Sequence, residues 1–241
     1  MKNFSPGLLP TLVTIPCVVI LLALTVWQIN RYGWKTDLIE TINTQLSAPP
    51  VALPSGAIDP DEWRYRRVSL TGEFDHAHEI HLFAHAEQGR AGFQIITPFR
   101  RSSEGDIVLV NRGWVPERFK EADARPQGQI NGEVTVTGIV RQPWHKSWSF
   151  MPDNNAADNV WLYGDLEMMA QHLGIPVAPV FVELEKAEVP GGLPIGGQTR
   201  VTLSNNHIEY AFTWFGLAGA LVIIYILYGL KRGRGQYDSN G

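Results

Sequence analysis

Two uncharged apolar runs, one near each end of the chain, restrict its fold more than any other feature. Leu8 to Ile29 (LLPTLVTIPCVVILLALTVWQI) is 22 residues without a charge. At 1.5 Å per residue it spans roughly 33 Å as a helix, enough for a hydrocarbon core about 30 Å thick. Ala211 to Leu230 (AFTWFGLAGALVIIYILYGL) is a second such run, predicting a span over 210–230. The first run is longer than the apolar core of a cleaved signal, roughly 7–15 residues. Bulky Trp27, Gln28 and Ile29 also follow where small residues would mark cleavage. It reads as an uncleaved anchor over 8–29, with Pro16 an expected kink. In the second run Gly216, Ala218, Gly219 and Ala220 would let another helix approach closely.

Orientation follows from the flanks. Lys231, Arg232 and Arg234 come directly after the second run, which places that end in the cytoplasm. Two crossings then put the N-terminus inside and the long central segment outside. Arg31 and Lys35 argue weakly the other way, but a loop this long crosses largely regardless of its charge. Trp27 and Trp214 would share one interfacial belt. No arginine-rich, acid-poor leader is present, so the expected location is a bacterial plasma membrane, N-in and C-in, with the central domain periplasmic.

Cys17 is the only cysteine and lies within the first run. The central domain therefore has no disulfide, thiolate metal site or cysteine nucleophile, and a copper chaperone using paired thiolates is excluded. A net charge of −4 with no long basic run leaves no footprint for nucleic acid.

Between the runs the pattern changes. Trp34, Leu38, Ile42 and Leu46 continue at helical spacing until Pro49-Pro50, which predicts a helical stalk over 30–48. Residues 49–62 are rich in Pro, Gly and Asp and read as a loop at the start of a β-rich domain over 49–206. Strands are expected at Tyr65–Glu73, Glu79–His85, Gly92–Phe99, Asp106–Arg112, Gly132–Arg141 and Val180–Leu184. Ser102-Ser103-Glu104-Gly105 sits at hairpin distance between two of them. Asp165 to Leu173 reads as one helix, capped by Asp165 and stopped by Gly174. The expected fold is membrane α+β: two transmembrane helices flank a mainly antiparallel sheet or small barrel with one helix. Residues 190–198 (PGGLPIGGQ) read as a flexible connector back to the membrane, and 231–241 as a cytoplasmic tail.

Few residues suggest chemistry. His76, His78, His81 and His85 fall within ten positions, but on a strand the first two and the last two occupy opposite faces. His78-Glu79-Ile80-His81 is also one residue short of the zinc motif HExxH. A metal site therefore competes with ordinary turn and surface histidines. His207 starts the second membrane helix, with Tyr210 and Trp214 at i+3 and i+7. It is either an amphipathic ring at the interface or a functional group at membrane depth. Arg31 and Lys35, one turn apart beside Trp27 and Trp34, are snorkelling anchors or an anion site. No G-x-S-x-G elbow, P-loop or dinucleotide fingerprint occurs, and no enzyme activity is expected.

An ordered set of segments resembles the surfeit-locus-one (Shy) family of cytochrome c oxidase assembly factors. It runs through Trp27-Gln28, Arg31 and Trp34-Lys35; Tyr65-Arg66; Gly72 to His76 with Glu79; Gly92-Phe93; and Thr97-Pro98-Phe99. It continues through Val110 to Pro116 (VNRGWVP), Arg125-Pro126, Gly132-Glu133-Val134, Trp161 with Asp165, and Met169-Ala170. It closes on Gly196-Gly197-Gln198, Asn205-Asn206-His207, Tyr210-Ala211 and Thr213-Trp214. The resemblance implies a role in building terminal oxidase, with haem a delivered to subunit I and haem a synthase a further partner. It implies His207 as haem ligand; on physical grounds Arg31 or Lys35 would then pair with the propionates, and Trp214 and Tyr210 complete the expected cofactor-binding residues. Glu209 departs from the glutamine expected in NNHxQY. A scaffold that holds an oxidase subunit without handling haem is the alternative.

Overall fold

A computed structural model describes residues 4–85, 89–198 and 203–238. In chain order its elements are α1 (Leu8–Ser47), β1 (Val51–Ala52), α2 (Pro60–Trp63), β2 (Arg67–Phe74), β3 (Ile80–His85) and β4 (Ala91–Arg101). There follow β5 (Ile107–Pro116), β6 (Val134–Arg141), β7 (Val160–Trp161), α3 (Leu166–Leu173), β8 (Phe181–Leu184) and α4 (His207–Asp238). The chain divides into two compact units, residues 1–41 with 202–241, and residues 42–201.

The first unit is a helix pair. α1 is continuous over 40 residues, so the apolar run and the amphipathic stretch after it form one rod about 60 Å long. In the most apolar window of α1 and of α4, 6% and 11% of the residues are buried. A helix in the core of a soluble protein would be mostly covered; these present Leu, Ile, Val and Phe outward and suit lipid. Polar ties join the helices at two levels. Thr11 Oγ1 lies 2.7 Å from the Tyr225 hydroxyl, and His207 Nδ1 lies 2.7 Å from Gln28 Oε1. The separation between these levels, 17 residues along α1 and 18 along α4, is roughly 26 Å, close to a hydrocarbon thickness. Beyond the first tie, Arg232 donates to the Pro6 carbonyl.

The second unit is a closed barrel with extensions. β2 pairs antiparallel with β6, β6 with β8, and β5 with β4, while β5 and β8 run parallel. β4 is long enough to serve twice on one side: its first half pairs with β3 and its last residues return to β2. That last pairing, Gly72↔Arg101 to Phe74↔Phe99, closes the ring β2-β6-β8-β5-β4. Alternation fills it. Val68 and Leu70 of β2, Phe99 of β4, Val108 and Val110 of β5, Val140 of β6 and Val182 of β8 form one core. Leu109 and Phe181 point to the opposite face and form a second cluster with Ile80, Leu82, Ile96 and Trp161. α3 covers that cluster with Leu166 and Met169. Asp165 accepts from Met168 N at 3.0 Å, and Gly174 ends the helix at φ 65°.

The membrane helix pair and the β domain agree with the architecture expected from sequence, and the domain is the barrel alternative. All six expected strands are present. Three details differ. The 49–62 stretch contains the two-residue β1, parallel to β2, and the one-turn α2, so the domain has more than one helix. The two-residue β7, parallel to β3, lies outside the expected strands, and His76–His78, between two of them, is a 3-10 turn. Residues 190–198 are bound rather than loose: Ile195 exchanges both backbone hydrogen bonds with Trp114 at 2.9 Å. Gly113, at φ +127°, makes this approach possible, because a Cβ there would stand 2.1 Å from the Ile195 carbonyl oxygen.

Candidate functional site

The helix pair builds one candidate site where α4 begins. The Asn206 carbonyl accepts from Tyr210 N, and the Asn205 amide donates to Tyr32 O (3.2 Å) and Thr36 Oγ1 (3.0 Å) of α1. This clasp sets the start of α4, and the next residue but one is His207. Its Nδ1 meets Gln28 Oε1, and Gln28 is a buried polar side chain within an otherwise apolar helix. With the Gln28 carbonyl oxygen as acceptor, Nδ1 is the donor nitrogen and Nε2 the ring nitrogen outside the contact. Such a fixed tautomer is the usual second-sphere support of an imidazole that ligates metal.

The other residues expected around His207 lie on the same helix pair. Ala211 and Ala218 are buried, and the Trp214 Nε1 is enclosed without a hydrogen-bond partner, so the 207–211–214–218 strip is the covered side of α4. Tyr210 is exposed on a neighbouring strip. Arg31 follows Gln28 by three positions and Lys35 by seven, along one side of α1. The Arg31 guanidinium lies over the Trp34 ring, 4.0 Å from its centroid, which keeps the charge beside an aromatic face.

The barrel holds a second cluster that spacing along the sequence does not reveal. β5 carries one extra residue opposite Ile95–Ile96: Ile95 pairs with Gly113 and Ile96 with Asn111, so Arg112 is the bulged residue. The bulge aims its side chain at Glu79, immediately before β3, and their atoms meet at 3.1 Å. Arg125, between two one-turn helices at Ala122–Ala124 and Pro126–Gly128, binds both oxygens of Glu79, one of them at 3.1 Å. All three side chains are almost fully buried. His76 adds its Nδ1 3.6 Å from Glu79, and Phe74 stacks on His76 beneath the Arg112 guanidinium.

Burial alone would raise the Glu79 carboxyl. The neighbouring His76, the hydrogen bonds from Arg125 and the charges of both arginines overcome it and hold the pKa at about 2. Arg112 shifts the other way for a base, down to about 10, through burial and the neighbouring Arg125 cation against the attraction of Glu79. The two directions fit one geometry: the carboxylate faces two cations, whereas each cation shares a single anion. Backbone carbonyls of Phe119, Lys120 and Gly128 take the remaining guanidinium donors. The cluster is thus a clamp that fixes residues 117–130 against β3 and β5.

The clustered histidines do not converge. His76 Nε2 meets the Ile130 carbonyl at 2.8 Å, and His78 pairs with Asp75 at 2.7 Å on the surface. His81 is buried beside Phe93, with Nδ1 unpartnered and its pKa lowered, first by burial. The His85 side chain lies outside the described residues. Among the described residues no three His, Cys, Asp or Glu side chains gather as a metal cage.

The SURF1 family model matches residues 15–219. Surfeit locus protein 1 of Xenopus tropicalis is 37% identical over 219 residues, 84% of this chain and 70% of that protein. The Takifugu rubripes protein of the same name is 36% identical over 86% of this chain and 91% of its own length. The Homo sapiens protein is 39% identical over 80% of this chain and 69% of its own length.

Proposed function

Because this chain belongs to the SURF1 family, we propose that it is a membrane-anchored assembly factor for cytochrome c oxidase. In this reading it binds haem a transiently through His207 and passes it to subunit I, with haem a synthase as donor of the cargo. The observation that carries the reading is the His207–Gln28 contact of 2.7 Å. It occupies Nδ1 and leaves Nε2 outside the contact, as an axial ligand to a haem iron requires. The Arg31 and Lys35 cations supply donors of the kind that propionates require. A site near the end of an apolar helix pair suits a ring with a long isoprenoid tail, since the tail can stay in lipid. Delivery requires release, and one protein ligand binds more reversibly than two. Lys231, Arg232 and Arg234 support the N-in, C-in orientation; the proposed setting is a bacterial inner membrane with the barrel on the periplasmic side.

A scaffold reading is favoured by a different observation. A Cβ added at Gly216 or Gly219 would meet nothing within 4 Å, so this small-residue side of α4 is open to another helix. One experiment separates the two. The chain is co-expressed with haem a synthesis, purified in mild detergent, and its visible spectrum is compared with that of His207→Ala. Bound haem whose ligation is lost in the variant supports the carrier. No haem in either folded protein, with Gly216→Leu lowering oxidase yield more than His207→Ala does, supports the scaffold.

A further inference from the structure

The β domain carries an aromatic pair that its core does not use. Trp148 is 61% exposed and Phe150 83%, yet their rings stack with centroids 6.0 Å apart at 24°. They stand at the tip of a loop whose base is firmly held. On one side Trp144 packs its ring on Phe181, with centroids at 5.3 Å, and its backbone N–H donates to the Gly164 carbonyl. On the other, Asn154 Oδ1 accepts from Leu162 N and Tyr163 N. Lys146 and Asp153, paired at 2.8 Å, close the neck. The tip beyond them, Ser147 to Met151 (SWSFM), is uncharged, and the Met151 N–H binds the Trp148 carbonyl at 3.0 Å.

We propose that this tip is a lipid-contacting wedge that rests the β domain on the bilayer in which the same chain is anchored. Three observations choose lipid over a protein partner. The chain already carries two helices suited to a bilayer, so a membrane surface is present at high effective concentration. Two aromatic side chains bury roughly 300–500 Å², short of the roughly 800 Å² per partner of a stable protein interface. The turn satisfies a backbone group of its own and the neck neutralises its charge, which lowers the cost of leaving water. Tryptophan and phenylalanine with a polar serine between them suit the headgroup boundary. The wedge needs no anionic lipid.

The test uses the full chain in nanodiscs of zwitterionic phosphatidylcholine. Cys17 is replaced by serine and Ser149→Cys carries an environment-sensitive fluorophore; positions 17 and 148–150 are all exposed, so the fold is retained. The expected result is blue-shifted emission, quenched about twofold by lipid spin-labelled near the headgroup, unchanged in high salt, and lost in Trp148→Ser/Phe150→Ser. Emission of a water-exposed probe would overturn the proposal. So would a blue shift that spin-labelled lipid does not quench, which would mark contact with protein, including a second copy. Quenching that persists in the double-serine variant would remove the assigned role of the rings.

Discussion

Replacing Glu79 by glutamine tests the buried clamp directly. The variant keeps the shape but leaves Arg112 and Arg125 without their shared anion, and its amide turns donors toward donors. The carboxyl is held at about 2 against an ordinary 4.5. At 1.36 kcal/mol per pK unit that difference corresponds to about 3 kcal/mol. Loss of one member of a buried ion pair costs about 3–5 kcal/mol, which agrees. The sign with pH follows from the depressed value. Stabilisation is full above the unfolded carboxylate range and disappears as pH falls from about 5 toward 2. Because the clamp holds residues 117–130, the loss should be local first. Hydrogen exchange of those amides at neutral pH should quicken by about two orders of magnitude in Glu79→Gln, the equivalent of about 3 kcal/mol. Urea unfolding of the β domain should separate the two proteins at pH 7, and the gap should narrow at pH 3. Exchange unchanged within about threefold, or a gap equally wide at both pH values, would refute the assignment.

Other outcomes follow from single contacts. Gln28→Leu leaves the His207 ring but removes its Nδ1 acceptor; haem a titration should show about 10- to 100-fold weaker binding, with Gln28→Glu, which retains an acceptor, close to wild type. Gly72→Ala puts a Cβ 2.0 Å from the Arg100 carbonyl oxygen at the barrel seam. It should cost roughly 3 kcal/mol, about 6–12 °C in the melting temperature of the β domain. Asp165→Ala removes the cap of α3 and should cost about 1 kcal/mol, with Asp165→Ser restoring most of it in the same melting assay.

The parts legible in the sequence are those written in local pattern. An uncharged run longer than the apolar core of a signal reads as a membrane span, and β-branched residues in alternation placed all six longer strands within a few residues of their bounds. The two-residue strands β1 and β7 escaped because two residues carry no period; pairing with a distant neighbour defines them. Closure was equally hidden, since the β2–β4 seam joins segments that nothing local connects. For the candidate sites the same division holds. His207 stands out as a titratable group at membrane depth, but Gln28, 179 positions away, reads only as a polar residue after an apolar run. Arg112, Arg125 and Glu79 are scattered charges until the bulge turns one of them inward. Their presence within the resembling motifs was the available signal. Residues 190–198 misled because glycine and proline mark both a slack linker and a tightly fitted backbone, and Ile195 on Trp114 makes it the second.

The way the barrel closes also bears on how such chains behave when many share one membrane. The five strands of the ring and β3 each have a neighbour on both sides, and the array ends on β1 and β7, each two residues long. An open sheet edge is a template on which another chain can add a strand, and anchoring in two dimensions brings edges together repeatedly. A two-residue edge offers too few free backbone groups to start that growth. Domains of this kind can therefore collide on a crowded surface without polymerising, which leaves their helices and loops, rather than their strands, to choose companions.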